Sequence, residues 1–67
     1  MNVEAIGTWA GLVWTRLNEA KGSLNIRELR RVTKLREKEV YAAVGWLARE
    51  GKINVNENEK EVDITLV

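Results

Sequence analysis

The spacing of apolar residues changes once along this chain, and the change falls at Gly51. Before it, three stretches repeat at the 3.6-residue period of a helix. After it, "KINVNENEKEVDITLV" alternates apolar and polar positions, the period of a strand. Ile53 and Val55 share one side of a first strand, and Val62, Ile64 and Leu66 share one side of a second. The polar "NENEK" between them is a turn signal, so the segment predicts a hairpin with strands at 52–56 and 61–66. Three helices followed by one hairpin in 67 residues predict a single domain, 1–67, of the α+β class.

The helices follow from their apolar stripes. Val3, Ile6, Ala10, Val13 and Leu17 fall at helical spacing, with Trp9 and Trp14 on the shoulders and Glu4, Thr8, Thr15 and Asn18 opposite. This predicts a helix over 2–20, stopped at Lys21-Gly22 by a left-handed cap. Ala5, Trp9 and Leu12 form a second facet beside the stripe. Either self-association or the hairpin with Leu66-Val67 would bury it. "SLNIRELRRVT" opens with a capping box, Asn25 with Glu28, and predicts a short helix over 26–33. Its stripe is Ile26, Leu29 and Val32, with Arg27, Arg30 and Arg31 opposite, and Leu24 is placed to add a short strand to the hairpin. After the turn "TKL", a third helix is expected over 36–50. Val40, Val44 and Leu47 make its stripe, flanked by Ala43 and Ala48, and Gly51 stops it.

A turn of three to four residues between helices two and three, followed by a hairpin, is the order of a helix-turn-helix with a wing. "NIRELRRVTKLREKEVYAAVGWLAREGKI" resembles the helix-turn-helix core of winged-helix transcriptional regulators, including the "WLAREGKI" run into the wing. Over essentially its whole length the chain is similar to a family of short, stand-alone bacterial winged-helix proteins. The resemblance implies the fold and a DNA-binding or transcription-regulatory role, while function itself has to be argued from the residues.

Composition narrows the classes. A domain of 67 residues buries only about 60% of its unfolded surface, so stability needs support. With no Cys and no His, disulfides and the common zinc sites are excluded as that support. Three Trp point instead to large-ring packing or self-association. No basic leader precedes the first apolar run, which Glu4 interrupts, and no run approaches the roughly 20 residues of a membrane helix. A soluble cytoplasmic protein without membrane contact is the expectation. Catalysis would fall to carboxylates, Lys, Tyr or Ser. The acids sit on an exposed hairpin, Ser23 adjoins a cap, and no Gly-rich phosphate loop occurs. No enzyme, cofactor, metal or small-molecule substrate is expected.

Charge is nearly balanced at +1, but unevenly placed. Residues 25–38 hold six basic side chains against two acidic ones, whereas 53–67 hold one against four. Two readings fit the basic segment: contact with the phosphates of double-stranded DNA, or a solvated helix face. On the first, Arg27, Arg30, Arg31, Lys34, Arg36 and Lys38 touch phosphates and Tyr41 adds a groove contact, while Glu37 and Glu39 oppose them. The acidic wing would bring carboxylates toward phosphates, each meeting costing on the order of 1 kcal/mol. The wing is therefore expected to stay off the DNA and to serve solubility and edge protection.

The outer side of helix three carries Lys38, Ala42, Gly45 and Arg49, bordered by Tyr41 and Trp46. Near its start, Arg36 and Lys38 are the side chains suited to paired bonds with base edges. Gly inside a helix costs roughly 1 kcal/mol against Ala, so Gly45 marks either a close approach or room for a neighbour within the chain. A surface of Ala42 and Gly45 beside the Trp46 ring suits another helix or a protein groove, unless Trp46 folds back over the first helix or the hairpin. The alternative function is thus a protein-interaction or homodimerisation domain built on Trp9, Ala42, Gly45 and Trp46.

Overall fold

Asn2 starts the first helix. Its side-chain oxygen accepts the Ala5 N–H at 2.8 Å, and α1 runs Val3–Glu19 in the computed structural model of residues 1–67. The helix ends as Lys21 and Gly22 turn left-handed (φ 63° and 93°), and the Gly22 N–H reaches back to the Leu17 carbonyl at 2.7 Å. β1, Ser23–Asn25, follows directly and is the strand expected from Leu24. Asn25 then caps α2, Ile26–Thr33: its side chain accepts the Glu28 N–H at 2.8 Å, and Glu28 accepts the Asn25 N–H at 2.9 Å.

The turn to the third helix is pinned from inside. The buried Thr33 hydroxyl donates to the Leu29 carbonyl and accepts the Leu35 N–H at 3.2 Å, while Lys34 takes the left-handed cap at φ 61°. α3 spans Glu37–Arg49. The Glu39 carboxylate accepts the Arg36 N–H at 2.8 Å, but Arg36 has no side-chain acceptor with which to complete a capping box. Gly51, at φ 73°, lets the Lys52 N–H reach the Leu47 carbonyl at 3.0 Å. The chain then enters β2, Ile53–Glu57, and returns as β3, Val62–Leu66. The Asn58 side chain fixes the turn by accepting the Lys60 and Glu61 N–H groups at 2.8 and 2.9 Å.

The sheet is antiparallel in the order β1-β3-β2, and Leu24 and Val55 both pair with Ile64. Ile64 is fully buried beneath the three helices' apolar stripes: Ala10, Val13 and Leu17 from α1, Ile26 and Leu29 from α2, and Val40, Ala43, Val44 and Leu47 from α3. Three helices on a three-stranded sheet make the α+β winged helix that the spacing predicts.

Ile6 stays half-buried, and four further expected core positions differ. Val3 is 68% exposed because it lies in the first turn of α1, ahead of the packed stretch. Val32 is only half-buried, and Thr33 takes its place in the α2 stripe because its hydroxyl is satisfied locally. Ala48 is exposed beside the end of α3. Val55 is 45% exposed although it shares a side with the buried Ile53, since it stands one pleat farther toward the wing tip. The second facet of α1 is partly covered: Ala5, Trp9 and Leu12 are half-buried, and of the three Trp9 packs against the core.

Candidate nucleic-acid interface

Positions 27, 30 and 31 are spaced i, i+3, i+4, so the burial of Ile26, Leu29 and Thr33 turns their cationic side chains away from the core. Arg27, Arg30, Arg31 and Lys34 line one open depression of about 260 Å³ with Leu35, and no carboxylate enters its wall. The left-handed cap holds Lys34 at the edge of this cluster. Arg36 and Lys38 are exposed at the start of α3 and lie outside the depression.

The six cations are not equivalent. Arg27 stands 3.9 Å from Glu61 of the wing, and Arg30 stands 3.4 Å from Glu37 of α3. These pairs are solvent-exposed and contribute little to stability, but they place a carboxylate on each guanidinium. Arg31, Lys34, Arg36 and Lys38 form no ion pair, the remaining two of the chain being Arg16–Glu19 and Lys52–Glu50. The cations free to meet an external anion are therefore the outer pair of the α2 cluster and the pair leading into α3.

Tyr41, 43% exposed, lies elsewhere. It lines a second depression, of about 400 Å³, between α2, the start of α3 and the wing tip. One wall carries Arg27 and Arg30; the other carries Glu57, Glu59 and Glu61. Sequence reading places an acidic wing near a basic helix but misses that Glu61 also accepts from the Asn25 side chain, at 3.4 Å. The opposite charges of residues 25–38 and 53–67 are the available signal for that meeting.

The residues of the alternative protein-interaction surface divide differently. Trp46 is half-buried, with its ring over α1: a Cβ placed on Gly7 would lie 3.6 Å from it. Trp9 packs against the core and Ala42 is half-buried. Gly45 is exposed, and nothing lies within 4 Å of where its Cβ would be. The expectation that Gly45 makes room for a neighbour within the chain is thus overturned; Gly7 is the glycine that seats the Trp46 ring. Trp14, 40% exposed, borders the same hollow as Gly7, Gly11 and Trp46.

No three His, Cys, Asp or Glu side chains are grouped closely enough to hold a metal, and no helix is long and apolar enough to cross a membrane. Residues 1–66 match the family of winged helix-turn-helix domains designated DUF2582. The chain is similar to the solution NMR structure of protein BT2368 from Bacteroides thetaiotaomicron. That likeness has a TM-score of 0.85 and 38% sequence identity, covering 98% of this chain and 79% of that one. Comparison with curated proteins gives no match.

Proposed function

The chain belongs to the DUF2582 family of winged helix-turn-helix domains, and from that premise we propose that it binds double-stranded DNA as a transcription-regulatory module. The observation that carries this reading is the α2 cluster: four cations around one depression with no carboxylate in its lining. Arg31 and Lys34 lie against phosphates, and Arg36 and Lys38 extend the same contact toward the base edges from the start of α3. These four need to release no internal partner before they bind. The wing stays off the DNA, since its tip offers carboxylates where phosphates would approach.

A second copy docking on the outer side of α3 would find little apolar surface. The Trp9 and Trp46 rings pack partly within the chain, which leaves Ala42, Gly45 and the exposed part of Tyr41. A stable interface needs about 800 Å² from each partner. DNA binding is the better supported of the two functions.

Fluorescence anisotropy with a labelled mixed-sequence duplex, run at 50 to 200 mM salt, tests the proposal. Displacing counterions with four cations gives a log–log slope near −3.6, an affinity loss of about 150-fold across that range. Arg31→Ala and Lys34→Ala should each make the slope shallower by about 1. Absence of binding at 50 mM salt, or an affinity indifferent to salt, would sink the proposal.

A further inference from the structure

The groove between α2 and the wing has the placement of a phosphate site and the wrong charge. Its lining carries Arg27, Arg30 and Lys60 against Glu37, Glu57, Glu59 and Glu61, three cations against four carboxylates. Without the three wing carboxylates the same lining would be positive. Nor is the acidic wall there by chance of a mobile tip. Asn58 pins the Lys60 and Glu61 N–H groups, and β2 and β3 stay paired out to Glu57 and Val62. Glu61 leans across to the helix it opposes, 3.4 Å from the Asn25 side chain and 3.9 Å from Arg27.

We propose that the wing is an intramolecular competitor for the phosphate site: Glu57, Glu59 and Glu61 occupy the groove's field, and Glu61 withholds Arg27 from an incoming backbone, while Arg30 stays with Glu37 of α3. The inference rests on the DNA-binding reading above and extends it. The domain is built with six cations on this side and engages four. The wing thereby limits affinity for any DNA, and a partner or solution condition that neutralises the wing tip raises it. A carboxylate that meets a phosphate repels it, whereas one that meets Arg27 competes with the phosphate for that cation. Both effects act in the same direction.

The test compares two variants of equal net charge in the same duplex titration. The first, Glu57→Gln/Glu59→Gln/Glu61→Gln, neutralises the wing wall, and the amide introduced by Glu61→Gln keeps an oxygen for Asn25. The second, Glu4→Gln/Glu19→Gln/Glu50→Gln, removes three carboxylates that do not line the groove. The wing variant should bind at least about tenfold tighter at low salt, and its slope should steepen from near −3.6 to near −4.5 as Arg27 engages, Arg30 remaining paired with Glu37. The control should gain much less and keep its slope. Equal gains with equal slopes would overturn the competitor and leave DNA binding standing. If the wild type and both variants fail to bind at low salt, the DNA reading falls and the competitor with it. Should the triple variant melt early, Glu59→Gln carries the test alone, because Glu59 makes no hydrogen bond or ion pair in the chain. Its expected gain is about two- to threefold, and no gain overturns the proposal.

Discussion

Replacing Gly45 by Ala separates what α3 needs for folding from what it needs for binding. Gly45 has no positive φ, lies inside the helix that spans Glu37–Arg49, and has open space where a Cβ would sit. The methyl group therefore meets nothing, and its effect reduces to helix propensity and the smaller entropy of the unfolded chain. Both favour the variant, by about 0.8 to 1.0 kcal/mol. An unfolding entropy of roughly 2.1 cal/mol/K per residue gives about 0.14 kcal/mol/K for a chain of 67 residues, so the midpoint should rise by about 6 °C. Circular dichroism at 222 nm during a thermal scan reads this shift, and urea unfolding should show a higher midpoint with an unchanged slope. An unchanged or lowered melting temperature would refute the reasoning. It would mean either that α3 is not regular at this position or that its outer side is already occupied in solution. The duplex titration supplies the second half of the experiment. Arg36 and Lys38 lie two turns ahead of Gly45, so DNA affinity should stay within about twofold. A more stable protein that loses binding would instead place the middle of α3 against its ligand.

Three further perturbations follow from the geometry. Asn25→Ala removes the α2 cap and one partner of Glu61, and should cost about 1 to 2 kcal/mol in urea unfolding; a change below about 0.3 kcal/mol would show the capping box to be idle. Ile64→Ala empties the fully buried position that both β1 and β2 pair across. A loss of about 2 to 5 kcal/mol approaches the whole stability of so small a domain, so the amide NMR spectrum should collapse; a dispersed spectrum would refute this. Lys34→Gly relieves a left-handed lysine and should stabilise by up to about 1 kcal/mol while making the DNA salt slope shallower by about 1. Destabilisation by Lys34→Gly would show that the Lys34 side chain contributes to packing at the turn.

The apolar spacing and the caps by themselves determined the order of elements. Ala10, Val13 and Leu17, and likewise Val40, Val44 and Leu47, announce their buried sides because burial on a helix repeats with its geometry. Asn25 with Glu28, and Gly51, mark two boundaries through bonds made within a few residues. The strand at Leu24 was legible for a similar reason, an apolar residue just ahead of a cap. Arg27, Arg30 and Arg31 of α2 were equally plain, since i, i+3, i+4 spacing places them on one face whatever lies around them.

What only the tertiary structure decided concerns groups distant in sequence. Which tryptophan is covered depends on what faces it: Trp46 lies over Gly7 of α1, while Trp14 borders that hollow and keeps 40% of its surface. Val55 and Ile53 are indistinguishable by alternation, and only the reach of the helices over the hairpin buries one and not the other. The division of the six cations depends on long-range placement in the same way. Glu61 lies 34 positions beyond Arg27 and meets it because β3 runs back beside β1, at the mouth of α2. Local chemistry sets the elements because their bonds close over three or four residues. The character of the groove is set by which elements the sheet brings side by side, and no short-range pattern carries that information.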